Sequence, residues 1–471
     1  MIERLEKRLR RDKRLDAQPR RLGDAPRERW VPAGAALRIG QSWCRTVYGS
    51  APTLQRGHAR QQPGTPPRKP ARRTFLTVAL WFWHSVAFLI PALLATNYTV
   101  NRFYTLGAAM WDSGWYAHIA ASGLRNPPAI GGWFLSDHMS LLFAVTALVR
   151  ELIPETPAPV FFAFTQGVWF GLLGLAASFC LRPLLPTVPA VALSMLCAMN
   201  GISLATIGFP HIEIAIPALI LLILAFWARG YRRAAWMLVP VLLSVREDAG
   251  LHLATIVGLI AIWRWHTTRS WRAARPEAMM AAAGLLGSAA ILAVQEALFV
   301  VGEDQLHETY LGTPMLAHVD GAFLGRRIYR LAQNRSYIYL PFLITIIVAM
   351  QRREFLFALG PLAGVPWVLL ALVARSSSAG ELMSYYAFPL MIGLCWPMIA
   401  AQPALGGDCR VASRLFATNI ALSVTLFAFS GGMHDRRPWQ SFSLPDPARI
   451  AATDSALDEV LASRQIGRAH V

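Results

Sequence analysis

The stretch VFFAFTQGVWFGLLGLAASFCL, Val160 to Leu181, decides the fold. It carries no charge, and wound as an α-helix it is long enough to cross the hydrocarbon layer of a bilayer, for which about 20 apolar residues suffice. Comparable runs recur at Phe75 to Thr96, Ile214 to Ala228, Met279 to Val301 and Phe355 to Ala374. They are continuous and rich in Leu, Ala and Ile, whereas a membrane β-barrel shows short alternating strands separated by turns. Of 471 residues, 55% are hydrophobic and only 15% charged, and mean hydropathy is +0.39. That balance argues against a string of water-soluble domains. An all-α, polytopic membrane protein is expected, with about eleven or twelve transmembrane helices.

The flanks differ from the body. Residues 1–73 hold 19 Lys and Arg against 6 Asp and Glu, so most of the net charge of +18 lies there. The tail has few aromatics, no recognisable nucleic-acid-binding fold, and abuts a hydrophobic run. It therefore reads as a disordered cytoplasmic tail, with no nucleic-acid partner. Arg72-Arg73-Thr74-Phe75-Leu76 is similar to a twin-arginine export signal, but the following run is long, bulky at Trp81 and Trp83, and lacks a small-x-small cleavage site. An uncleaved first helix is expected, opening a membrane domain over 74–432. Residues 433–471 form a C-terminal tail in which Ile466 to Val471 reads as a translated sequencing adapter, so truncation is expected. The five cysteines form no CxxC pair, and no disulfide framework or zinc site follows.

Basic residues gather on the cytoplasmic side of membrane helices. With the tail inside, so are Arg229 with Arg232 and Arg233, the stretch Arg264 to Arg275, and Arg352-Arg353. Residues 97–137, Gly208 to Glu213, Arg246 to Gly250, Val301 to Ser336 and Arg375 to Ser384 then face outward. Between the first outer loop and Gly208 an even number of crossings is required, yet three apolar runs are present. Either His138 to Ile153 or the run broken at Asn200-Gly201 must be split or re-entrant.

A charge at the bilayer centre costs about 2.5 to 3.5 kcal/mol on insertion scales, so ionisable residues near the spans are the main functional signal. Trp111-Asp112-Ser113-Gly114-Trp115 opens a short helix whose Trp111, Trp115 and Ile119 share one face, and Gly123 can end it. An interfacial helix is expected, with its aromatic face at headgroup depth. Asp112 is either its N-cap or a polar group at the mouth of a cavity. Asp137-His138 marks the loop's return. Phe209-Pro210-His211-Ile212-Glu213 opens a span, with Pro210 suited to its first turn. Arg246-Glu247-Asp248 replaces the Gly, Asn or Pro of an ordinary turn, which suggests an ion-paired knot beside a polar cavity. Tyr310 to Pro314 and Tyr385-Tyr386 complete the set, although aromatics at that depth also suit an interfacial belt. No His pair has zinc-ligand spacing. Arg326, Arg327, Arg330 and Arg335 oppose the positive-inside trend. With Phe323, Leu324, Ile328 and Leu331 they form either an amphipathic helix on lipid headgroups, one gripping a lipid phosphate, or a solvated charged face.

This order of elements resembles the domain of unknown function 2079 family, predicted bacterial membrane proteins related to GT-C glycosyltransferases. The carriers are Asp112 and Gly114, His138, the Phe209 to Glu213 stretch, Arg246-Glu247-Asp248, Tyr310 to Gly312, and Tyr385-Tyr386 with Pro389, across residues 80–400. Phe-Pro-His-Ile-Glu stands where the family has Phe-His-Pro-Glu, and Arg246 where it has Lys. The Trp-Asp-x-Gly-x-Tyr string is also similar to GPI mannosyltransferase-like enzymes of the same group.

The resemblance implies an enzyme of the bacterial inner membrane. It would transfer a hexose or pentose from a polyprenyl-phosphate donor to an extracytoplasmic acceptor. Asp112 is then the general base. Substrate binding falls to His138, His211, Glu213, Arg246, Glu247, Asp248, Tyr310, Tyr385 and Tyr386. Arg246, Arg326, Arg327 and Arg330 are the candidates for the lipid phosphate. The residues name no particular cofactor; a divalent cation on the carboxylates is the alternative to direct hydrogen bonds. The partners are the lipid-linked donor and membrane lipids, and the sequence carries no signal for an oligomer. The rival is a transporter or lipid flippase, against which stands the absence of internal repeats.

Overall fold

In the computed structural model, Val160 to Leu181 lies within one uninterrupted helix, Ala158–Leu181. The structure describes residues 70–104, 112–126, 132–299, 307–431 and short stretches between 446 and 456. Most of both tails, including the expected disordered and truncated segments, lies outside the described residues. Helices make up nearly all of the described chain. Its only β pairing is one isolated bridge, Arg125 to Trp133.

In chain order the helices are α1 (Pro70–Tyr104), α2 (Asp112–Ser122), α3 (Leu142–Glu151), α4 (Ala158–Leu181), α5 (Thr187–Ala198), α6 (Gly201–Ile207), α7 (Ala215–Ala228), α8 (Arg232–Leu243), α9 (Ala249–Thr268) and α10 (Trp271–Leu298). They continue as α11 (Gly321–Asn334), α12 (Ser336–Arg352), α13 (Leu359–Val373), α14 (Met391–Ala400) and α15 (Cys409–Leu426). Among the described residues, five helical segments are long and apolar enough to cross a membrane, or six if α5 and α6 together form one bent span.

Both segments that the parity of crossings singles out are irregular. α3 has 10 residues, a length of about 15 Å, half of a hydrocarbon layer about 30 Å thick. α5 and α6 meet at a 44° bend, built by Asn200. Its side-chain oxygen accepts from the amides of Ile202 (2.8 Å) and Ser203 (3.2 Å), capping α6, while its Nδ2 donates 2.7 Å to the Cys197 carbonyl at the end of α5. The interruption at Asn200-Gly201 is therefore a built-in break.

α7 and α14 are buried almost throughout and form the centre of the bundle. α10 instead exposes apolar side chains such as Leu286 and Leu298 on its outer side, as expected of helices solvated by lipid rather than water. The closest helix packing joins α1 to α4. Gly167, Gly171 and Gly174 line one face of α4, and a Cβ at these positions would meet Ala92 O at 2.5 Å, Phe88 O at 2.9 Å and Ala87 O at 2.1 Å. Without water to drive association, such backbone contact is a main source of cohesion between membrane helices. Gly171→Leu is expected to lower stability by about 1–3 kcal/mol through overpacking, measured as an earlier unfolding midpoint in detergent.

α2 differs from its expected place. Gly123, at φ +75°, does end it. Yet Tyr116, Ile119 and Ala120 are at most 1% exposed, packed against α3 and α4 rather than on lipid. Trp111 and the Asp112 side chain lie outside the described residues.

Candidate functional site

Four chain segments are sewn together at one end of the bundle. The Gln295 amide of α10 donates to the carbonyls of Leu135 (3.0 Å) and Ser136 (3.4 Å), fixing the short turn Phe134–Ser136 just before His138. The next residues reach the α8–α9 connection: Leu142 N–H donates 2.8 Å to Ser244 O, and Met139 N–H donates 3.0 Å to Glu247 Oε2. The other Glu247 oxygen lies 3.3 Å from His138 Nδ1. His138 and Glu247 are thereby paired although more than a hundred residues separate them.

Arg246 is the hub. Its Nη1 donates 2.6 Å to Glu213 Oε1, its Nε donates 2.7 Å to Asp248 Oδ1, and its Nη2 donates to Asp248 Oδ2. The second Glu213 oxygen is bonded to His211 Nδ1. Glu213 lies in a 3-10 turn, Ile212–Ile214, leading into α7, with His211 extended before it, so Pro210 stands outside the helix rather than in its first turn. The expected ion-paired knot at 246–248 is present, and Glu213 completes it.

Aromatic rings enclose these charges. Tyr385 stacks on His211 with centroids 3.6 Å apart, Tyr386 stacks on Tyr385 at 4.4 Å, and Tyr116 of α2 meets His211 edge-on at 4.3 Å. Trp367 stacks on His252 at 3.9 Å, and Phe388 lies under the Arg246 guanidinium at 5.8 Å. Tyr310 borders the group. Burial pushes its hydroxyl up to about 12 with the help of Tyr386, so at neutral pH it is a hydrogen-bond donor.

His138, His211, Glu213, Arg246, Glu247, Asp248, Tyr310, Tyr385 and Tyr386 thus assemble in one neighbourhood. Asp112 is placed by its backbone as the first residue of α2, one turn before Tyr116. Side chains not singled out in the sequence also take part. His252 Nε2 lies 3.4 Å from Asp248 Oδ2, an i,i+4 relation legible in the sequence. Gln295, a lone amide within an apolar run, gave a comparable signal.

The electrostatics separate two roles. Glu213, Glu247 and Asp248 oppose one guanidinium, so the cluster carries excess negative charge when its histidines are neutral. Burial pushes the Asp248 carboxyl up, but the Arg246 guanidinium more than offsets this and holds it well below the usual carboxylate range. Arg246 spends its charge on these carboxylates and offers little attraction to a phosphate. Among the described residues no three His, Cys, Asp or Glu side chains are arranged to hold a metal ion.

The α11 arginines form a second, adjoining cluster. Arg327, 6% exposed, donates to the carbonyls of Ala374 (2.8 Å), Ser376 (3.3 Å) and Ser377 (3.3 Å). Arg330 Nη1 bonds Glu381 Oε1 at 2.5 Å, and Arg335 Nε donates 2.7 Å to Glu381 O. These three grip the segment leading to Tyr385, while Arg326 is exposed. In comparisons with known proteins, no family model, no curated protein and no solved structure matches the chain.

Proposed function

We propose that the protein is a membrane glycosyltransferase of GT-C type, moving a sugar from a polyprenyl-phosphate donor to an extracytoplasmic acceptor. The observation that carries this reading is the convergence of carboxylates, imidazoles and stacked tyrosines from distant segments into one partly exposed cluster. Carboxylates and imidazoles suit the hydroxyls of a sugar, and aromatic faces suit its apolar C–H faces. The family resemblance described above adds to this.

The residues divide the work. Glu213, Glu247, Asp248 and His138 orient the sugar; a divalent cation on the same carboxylates is the alternative arrangement. The phosphate falls to the exposed side of α11, with Arg326, rather than to the neutralised Arg246. Asp112 takes the acceptor's hydroxyl proton as that oxygen attacks the anomeric carbon. The bond from the anomeric carbon to the phosphate oxygen breaks, and polyprenyl phosphate leaves with the electron pair.

In this reading the chain crosses the plasma membrane eleven times, by α1, α4, the α5–α6 pair, α7, α8, α9, α10, α12, α13, α14 together with the turn Ser384–Leu390 that leads into it, and α15, with α3 not crossing. The alternation closes with the amino terminus inside and every cluster residue outside, as positive-inside bias requires.

The test is full-length protein in vesicles given a polyprenyl-phosphate-linked radiolabelled sugar and a soluble saccharide acceptor. Label on the acceptor with release of polyprenyl phosphate is expected. Donor that crosses the bilayer intact, with no bond broken, would instead establish the transporter reading, in which the pair of buried His252 and partly exposed Asp248 carries protons.

A further inference from the structure

α11 has two working faces. Arg327 and Arg335 from buried positions, and Arg330 from a position 55% exposed, hold the segment 374–381. Outward, Ile328 is 56% and Tyr329 66% exposed. At about 100° per residue, Ile328 and Ala332 share one flank of the outward side, and Arg326 and Gln333 share the other.

α12 follows after Arg335 alone. Its exposed Tyr339, Leu343, Ile347 and Met350 recur every three or four residues as one apolar stripe. A stripe of this kind on an apolar helix of a membrane protein faces lipid. The Tyr339 hydroxyl at its start donates 2.8 Å to the Ala332 carbonyl, so the stripe is tied to the apolar flank of α11. Tyrosine at the end of a lipid-facing stripe marks headgroup depth. The apolar flank of α11 is therefore continuous with a lipid-facing surface.

We propose that α11 lies flat in the bilayer surface, with Ile328 and Ala332 in lipid and Arg326 and Gln333 toward headgroups and water, and straps the 374–386 wall of the cluster to the membrane. The amphipathic pattern fits an in-plane helix. Mechanical continuity runs from Ile328 through Arg330 to Glu381, then through Leu382 and Ser384 to Tyr385 on His211. Leu382 and Ser384 have φ of +50° and +52°, a backbone form that costs side-chain-bearing residues energy and that the surrounding contacts must hold. Here those contacts are the arginine grip and the Tyr385 stack. The strap does not depend on sugar-transfer chemistry.

The test uses full-length protein in phosphatidylcholine–phosphatidylglycerol vesicles, spin-labelled at Ile328→Cys or, separately, Gln333→Cys, with the equally treated parent chain as blank for the native thiols. Position 328 is expected to be relaxed by oxygen and shielded from a water-soluble nickel chelate, and position 333 the reverse, the access ratio differing about tenfold. Equal nickel access at both positions places α11 in water and overturns the proposal. Exclusion of both reagents at 328 means that protein covers this flank, which overturns it equally. In the same vesicles Glu381→Gln is expected to speed amide exchange across 376–386 about tenfold while the label at 328 stays in lipid. Unchanged exchange removes the strap.

Discussion

Replacing Arg246 by alanine is expected to destabilise the protein by about 3–5 kcal/mol, the cost of leaving buried carboxylates without their counter-charge. Glu213 is 1% exposed and shares the guanidinium with Asp248. Arg246→Lys is expected to cost less but not nothing, because one ammonium cannot reproduce a fork that donates to two carboxylates at once. This is the informative comparison, because a folded Lys variant keeps the charge and loses only the second arm. Combining Arg246→Met with Glu213→Gln should cost less than the two single changes added together, since the second removes the charge the first had stranded.

The pH dependence separates this from simple loss of packing. In the parent chain Asp248 titrates below the ordinary carboxylate range, so its contribution to stability is complete above the unfolded value of about 3.9 and is lost only as pH falls toward the folded value. In Arg246→Ala the guanidinium is gone, and burial, which raises the carboxyl, is opposed only by the weaker contact with His252. A group raised in the folded state favours folding at low pH, so the variant should gain stability between pH 8 and pH 5 relative to the parent. Thermal unfolding of both proteins in detergent at the two pH values gives the comparison. Parallel curves would mean that Arg246 acts through packing rather than charge.

The fold was legible wherever the local pattern carried the physics. Val160 to Leu181 could be little but a span, and the break at Asn200-Gly201 is written in Asn200, a residue that caps helices. The burial of α2 was not legible, because an apolar face suits lipid and protein interior equally, and periodicity reports the face without naming its neighbour. The same ambiguity hid the arginines of α11. Their spacing shows an amphipathic helix, but Glu381 and the carbonyls of 374–377, which engage three of them, lie some fifty residues further along the chain. The candidate site was more legible than these, because ionisable residues at span ends have few alternatives to one another. Glu213, Arg246 and Asp248 could be listed from sequence, but which guanidinium arm met which carboxylate could not. His252 stands one helical turn beyond Asp248, a spacing the sequence carries without showing that the two side chains meet.

Asp112→Asn is expected to reduce sugar transfer by about 10²- to 10⁴-fold without affecting folding, and the choice of asparagine makes the outcome decisive. Asp112 opens α2, four residues before the Tyr116 that meets His211 edge-on. If its only task is to cap that helix, asparagine caps about as well, and both stability and activity should survive. Alanine would then cost about 1 kcal/mol of stability and little else. If Asp112 is the proton acceptor, asparagine fills the same volume and keeps the cap but cannot take the proton, so activity falls while the unfolding midpoint stays. The readout is acceptor labelling in vesicles beside thermal unfolding of the same preparations. Full transfer by the asparagine variant would move the proton to another group. Glu247 is then the candidate, because it is 16% exposed where Glu213 is 1%, and its bond to His138 Nδ1 leaves the imidazole's second nitrogen to meet the acceptor.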